Sequence, residues 1–324
     1  MDTVRLGFIG TGGIARFHLK HLSQWADVKI AALCDVNQDG VNAAAKEFNS
    51  KAYTDYHVML DKEDLDAVYV CVPPFAHSDA ELLVAKKKIG LFVEKPLCTT
   101  LEQAEGIAAA VKKSKIVAAV GYNWRCCDIT RRAKEIIDND PISAAYGYWV
   151  GGMPGAMWWR QQEQSGGQLV EQTTHVVDVA RYLIGGKATR VYAQGAKGIY
   201  AKRHEKHDIH DNSVAVITFD NGCVCTIGSG HLSPQGFRVG IDFILADKTV
   251  SHNNGTLTVK DSNGEQTWKL LNKPYEEEDR MFLDAVKAKK PAAVACTYAD
   301  AFETHRICMA ANESMKTGKV VELD

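Results

Sequence analysis

Three clusters in this chain have the residue types and spacing of a reaction site. Gly10-Thr11-Gly12-Gly13-Ile14-Ala15 fits G-x-G-x-x-G/A, directly after the apolar run from Val4 to Ile9 and at the start of a helical stretch. In that context Gly10 allows the tight turn, Gly12 lets backbone approach a pyrophosphate, and Ala15 permits close helix–strand packing. The anion would rest on the helix N-terminus, where unbonded N–H groups and the helix dipole favour negative charge. Asp35 follows Gly12 by 23 residues, at the end of the next apolar run. A carboxylate there accepts hydrogen bonds from ribose hydroxyls and repels a 2′-phosphate. Val36 and Asn37 supply no cation for that phosphate, so the sequence favours NAD, with NADP as the alternative. Lys95 follows the apolar run from Ile89 to Val93, at the carboxyl end of a strand, where ligands bind in open parallel sheets. An ammonium there can hydrogen-bond a reacting hydroxyl and stabilise a developing alkoxide. His175 is the candidate general base, since the ordinary histidine pKa of about 6.5 suits proton abstraction near neutrality. Glu171 lies four residues before it and Asp178 three after. On one helix the three would share a face, and an acidic neighbour would orient the imidazole.

Elements that could hold these residues are legible in the patterning. Strand-like runs at 4–9, 28–34, 67–72, 89–93 and 117–121 alternate with helical stretches at 14–24, 42–48, 78–88 and 101–113. Apolar strands alternating with helices imply a doubly wound parallel sheet covered on both faces, an α/β Rossmann domain over residues 1–121. The rhythm then changes. Helical 130–137 precedes a strand at 144–150, and a Trp- and Gly-rich segment leads into a strong helix expected over 168–183. From 190 to 269 strands and polar turns such as Asp220-Asn221-Gly222 dominate, followed by helices near 276–288 and 298–315. This predicts an α+β domain over 122–324, built on a mostly antiparallel sheet, with the helix near 298–315 packing back on the first domain.

The bulk numbers fit a two-domain globular protein: 324 residues, 46% hydrophobic, 24% charged, net charge −2. Nothing in them indicates a nucleic-acid surface, and no apolar run is long enough for a membrane span. The start lacks a signal-peptide pattern, so a cytoplasmic location is expected. Nine scattered cysteines without a C-x-x-C pair read as reduced thiols, not a disulfide frame or zinc site. His204, His207 and His210 sit in a highly charged segment that reads as a solvated loop, so no metal is expected. The run Glu276-Glu277-Glu278-Asp279 reads as a helix N-terminus.

Four segments in order carry a family resemblance: the glycine loop, Glu94-Lys95-Pro96, Gly121-Tyr122-Asn123-Trp124-Arg125, and the stretch from Gly166 to Asp178. Together they resemble the glucose–fructose oxidoreductase / inositol dehydrogenase family (Gfo/Idh/MocA) over nearly the whole chain. The resemblance implies an NAD(P)-dependent dehydrogenase or reductase of a sugar, sugar derivative or cyclitol. It implies a large open-faced sheet in the second domain and a homodimer or homotetramer. It further implies a cis bond before Pro96, with Pro73, Pro74, His77, Glu94 and Asn123 lining the cofactor site. Asn123, Trp159 and Arg160 are implied near substrate, where aromatic faces and a guanidinium suit a sugar ring. This chain departs from the family in having Glu171 where aspartate is usual and Thr173 where glycine is usual. Two other readings follow from the same residues: a redox-neutral enzyme that uses transient oxidation to cleave or eliminate glycosides, and a non-catalytic NAD-binding regulator.

Overall fold

The computed structural model describes residues 3–138, 140–199, 202, 204–231, 233 and 236–323. Arg203, part of the charged histidine segment, lies outside them. The chain forms two units: Met1–Cys98, Glu102–Asn123 and Lys273–Phe302 make the first, while Thr99–Leu101, Trp124–Asn272 and Glu303–Asp324 make the second.

The first unit is a six-stranded parallel sheet of β1 (Val4–Ile9), β2 (Val28–Cys34), β3 (Lys51–Tyr53), β4 (Ala67–Val70), β5 (Gly90–Val93) and β6 (Ala118–Val120). Their order is β3-β2-β1-β4-β5-β6, so the winding reverses between β1 and β4. Connecting helices are α1 (Gly13–Leu22), α2 (Gln38–Glu47), α3 (Tyr56–Lys62), α4 (Ala80–Lys86) and α5 (Leu101–Ser114). β4 and β5 are buried at every position, as strands covered on both faces must be. β3 and α3 were not visible in the patterning: β3 is only three residues long, and α3 is started by Asp55, whose side chain accepts from His57 N. On one face Phe8, Tyr69 and Phe92 stack with centroids 4.6 Å apart, and Phe282 meets Tyr69 and Phe92 edge-on at 5.5 Å. The helix Pro274–Ala288, which carries Phe282, is thus part of this core.

The second unit is a nine-stranded sheet of β7 (Ala144–Val150), β8 (Ala188–Ala196), β9 (Asn212–Phe219), β10 (Val224–Gly230), β11 (Arg238–Ile244), β12 (Lys248–Asn253), β13 (Thr256–Asp261), β14 (Gly264–Lys269) and β15 (Val321–Glu322). Its order is β14-β13-β12-β11-β7-β10-β9-β8-β15, antiparallel except for the β7–β10 pair. Helices of this part of the chain are α6 (Asp128–Ile137), α7 (Gln162–Ser165), α8 (Gln168–Glu171), α9 (Thr174–Ile184), α10 (Pro274–Ala288, in the first unit) and α11 (Tyr298–Thr317). Buried residues of α6, α9 and α11 share one cluster with inward-facing strand residues. Gly147 on β7 is required there, because a Cβ would lie 2.7 Å from Val176 Cγ1 on α9.

The helix expected over 168–183 is two helices. α8 stops at Glu171, Gln172 departs to φ −113°, and α9 starts at Thr174. The cause is tertiary: Thr173 Oγ1 bonds Ser229 Oγ on β10 at 2.8 Å, and two successive threonines weaken helix continuity. Glu171 and His175 therefore do not share the face of one helix. Among the described residues no helix is long and apolar enough to cross a membrane. All nine cysteines are buried and unpaired with one another.

Candidate active site

In the first unit the glycine loop sits at the carboxyl end of β1, where the winding reverses. Gly10 has φ +91°, and a Cβ there would lie 2.3 Å from Cys71 O, so only glycine fits. Gly12 and Gly13 are exposed, and a Cβ on either would meet nothing within 4 Å. Gly12 caps α1 without a side-chain acceptor, and the first turn holds no acidic residue. The helix thus opens with N–H groups aimed at open space, which suits a pyrophosphate. Asp35 is joined to this loop: its Oδ2 accepts from Thr11 N at 2.7 Å and Thr11 Oγ1 at 2.9 Å, and Oδ1 accepts from Asn37 N at 3.0 Å. A carboxylate has roughly four acceptor positions, so ribose hydroxyls still find lone pairs there. The residues present fit a dinucleotide.

Glu94 ends β5, and Lys95–Pro96 is a cis bond. Glu94 is buried; its Oε2 accepts from Lys95 N at 3.2 Å and its Oε1 meets His18 Nε2 at 3.0 Å. A Cβ on Gly121, just beyond β6, would lie 2.7 Å from Glu94 Oε1, so a side chain there would push this carboxylate aside. Asn123 follows, buried, with its Oδ1 left without a hydrogen-bond donor. Pro73 and Pro74 follow β4, and Pro74 opens a short 3₁₀ turn. His77 is buried in a short hydrogen bond from its Nδ1 to Glu81.

His18 and Asp279 were not singled out from the sequence. His18 Nδ1 bonds Asp279 Oδ2 at 2.7 Å, and Asp279 also accepts from His21 Nε2 at 2.5 Å and Tyr69 OH at 3.0 Å. Burial works against a charged His18, but Asp279 and Glu94 outweigh it and raise its pKa well above the ordinary value. Asp279 moves the other way: burial opposes its charge, and His18 and His21 lower its pKa. The signal was available, since Ala15, His18, Leu19 and Leu22 form the buried stripe of α1.

In the second unit His175 is buried on the first turn of α9. Trp124 and Trp149 lie near-parallel to it, with centroids 5.7 and 5.8 Å away and 5.9 Å from each other, so the three rings form a triangular cluster. Trp149 Nε1 donates to Gln172 Oε1 at 3.1 Å, and Trp124 also stacks with His252 at 5.6 Å. Burial lowers His252 to about 4. Glu171 Oε2 accepts from Trp159 Nε1 at 2.8 Å, which brings two of the singled-out residues together. Arg160 O accepts from Asp208 N at 3.1 Å. Asp178 is committed elsewhere. Its carboxylate takes Arg125 Nε at 2.8 Å and Nη2 at 2.6 Å, and Thr304 Oγ1 at 2.9 Å. Trp124, Trp149 and Gln172 had no signal as partners of His175, because strand register and a helix break bring them there.

A dinucleotide-type Rossmann sheet followed by an α+β unit with a large mixed sheet is the architecture of an oxidoreductase family. The family model described as "Oxidoreductase family, NAD-binding Rossmann fold" matches residues 4–122, and that of the GFO/IDH/MocA C-terminal domain matches residues 131–249. This chain belongs to the Gfo/Idh/MocA family. It is 28% identical to the uncharacterized oxidoreductase YrbE of Bacillus subtilis, over 98% of this chain and 96% of that one. It is 26% identical to a myo-inositol 2-dehydrogenase of Thermotoga maritima, covering 90% and 91%. Its fold matches the crystal structure of a probable dehydrogenase from Thermotoga maritima with TM-score 0.83, 25% identity and 98% coverage of both chains.

Proposed function

We propose that this protein is an NAD-dependent dehydrogenase of a cyclitol or sugar. NAD, when bound, supplies the nicotinamide carbon that takes the hydride. The glycine loop holds the pyrophosphate, and Asp35 holds the adenosine ribose. His175 takes the proton of the reacting hydroxyl, and Lys95 donates a hydrogen bond to the developing alkoxide. The observation that carries this reading is the buried His175 ring packed beside two indoles. Trp124 and Trp149 lie near-parallel to it and 5.9 Å from each other, and this three-ring cluster restricts how the imidazole can turn. Glu171, anchored by Trp159, presents a carboxylate to sugar hydroxyls. The names of the relatives support the substrate class, since one is a myo-inositol 2-dehydrogenase.

A homo-oligomer belongs to the same reading. Tyr146, Thr226, Val216 and Tyr192 lie side by side across β7, β10, β9 and β8, and Tyr146, Val216 and Tyr192 are exposed. Such an apolar row suits a second copy of this chain.

The test is a screen of inositols, hexoses and glycosides with NAD, followed by absorbance of the reduced cofactor. His175→Ala should retain NADH binding within about twofold and lose roughly 10²–10⁴-fold in kcat, the usual contribution of a general base. Equal turnover by the variant refutes the assignment. Glycoside cleavage without net NADH would move the protein to the redox-neutral class.

A further inference from the structure

We propose that His207, Asp211 and His231 form a binding site for a divalent transition metal of the zinc class, within the second unit. The Nε2 atoms of His207 and His231 face each other at 3.1 Å, and Asp211 Oδ1 lies 3.8 Å from both. A carboxylate at that distance is beyond hydrogen-bond reach of either ring. Yet the three separations place the point equidistant from all three atoms about 2.1 Å from each. Zinc bonds to imidazole nitrogen and carboxylate oxygen are roughly 2.0–2.2 Å long. All three side chains are buried.

The ligands are held from outside. Asp211 Oδ2 accepts from Ile199 N at 2.8 Å, which turns Oδ1 toward the two rings. His231 N donates to Asp211 O at 3.2 Å, joining the end of β10 to the loop before β9. The Trp159 ring meets His231 edge-on at 5.4 Å. A second histidine–aspartate group among the described residues, His18 with Asp279, differs: both ring nitrogens of His18 are hydrogen-bonded to carboxylates, whereas the Nε2 atoms of His207 and His231 share a hydrogen bond with each other that a metal would replace. Two imidazoles and one carboxylate suit zinc better than magnesium or calcium, which prefer all-oxygen sets. The fourth position falls to water or to His204, which is near enough to act electrostatically on both rings. The metal would brace the segment that carries Asp208. That residue donates its N–H to Arg160 O and accepts from Gln162 N through Oδ1 at 2.7 Å.

The experiment uses full-length protein stripped with EDTA and titrated calorimetrically with Zn²⁺ alone. One saturable Zn²⁺ per chain with submicromolar Kd and a raised melting temperature is expected. His210→Ala, outside the cluster, should keep this binding, while His207→Ala and His231→Ala should weaken it at least a hundredfold. No saturable binding by the folded wild type overturns the proposal. So does equal binding by the His207→Ala/His231→Ala double variant. Should the variants not fold, Co²⁺ in the wild type decides. Visible d–d bands without thiolate charge transfer support the nitrogen–oxygen set, and strong thiolate charge transfer assigns the metal to cysteines and overturns the site.

Discussion

Asp35→Asn isolates the charge that should select NAD over NADP. The substitution keeps an oxygen able to accept from Thr11 and removes only the negative charge and one acceptor, the Oδ1 that Asn37 N uses. A 2′-phosphate carries a charge of about −1.5 to −2. At ~5 Å from a half-exposed carboxylate, each unit charge costs about 1 kcal/mol in a water-like dielectric, and more in the protein. Removing the carboxylate should therefore relieve about 1.5–3 kcal/mol for NADPH, or roughly 10–150-fold in Kd. The same change turns a charge-assisted bond to the ribose into a neutral one, at a cost to NADH of about 1–2 kcal/mol, or roughly 5–30-fold. The ratio of NADPH to NADH dissociation constants should fall at least fiftyfold. Titration of reduced-cofactor fluorescence measures both constants without any substrate. The helix start is a built-in control, because Asn37 Oδ1 caps α2 through Gly40 N at 3.0 Å, and loss of that cap would weaken both cofactors equally. A ratio that moves less than fivefold in a folded variant refutes the view that Asp35 discriminates by charge.

Three further outcomes follow. Arg125→Met should destabilise the second unit by about 3–5 kcal/mol, because it strands the Asp178 carboxylate, which is 0% exposed; a urea midpoint unchanged from wild type would contradict this. Stability should also decline toward alkaline pH. The His18 contribution is fully present below about pH 6.5 and is lost as pH rises through its raised folded pKa, while that of Asp279 is fully present above about pH 4 and is lost as pH falls. Urea unfolding from about pH 6 to 10 should show the decline in wild type and a flatter profile in His18→Gln; equal slopes would refute it. Glu171→Gln should leave NADH affinity within about twofold and reduce kcat/KM for the best polyol roughly tenfold or more, and a change confined to NADH binding would remove Glu171 from the substrate side.

What could be read from the chain was what is local in it. The glycine loop needs a strand, a turn and a helix in succession, and Asp35 follows at the end of the next strand, so adjacency alone announces them. Lys95 and His175 were visible because each lies in a short motif. The environment of His175 was not. Trp124 and Trp149 reach it from a turn 51 residues away and a strand 26 residues away, and only pairing register places them. The helix break at Gln172–Thr173 likewise depends on Ser229, which no window around residue 173 contains.

The acidic run on α10 shows how far helical phase alone could have gone. Glu276 and Glu277 do stand in the first turn, where carboxylates suit the dipole. Glu278 and Asp279 have the same charge and almost the same position in sequence, yet both are buried. The 3.6-residue period separates them: residues 278, 279, 282, 283, 285 and 286 make one buried stripe, with Phe282 and Leu283 in the same core as Phe8 and Tyr69. A carboxylate on that stripe cannot stay charged without a partner. Asp279 therefore required a buried donor, and the only histidine on the buried stripe of α1 is His18. The same periodicity test applied to both helices pairs two residues 261 positions apart and ties Glu94, beside the proposed catalytic lysine, to the core of the first unit.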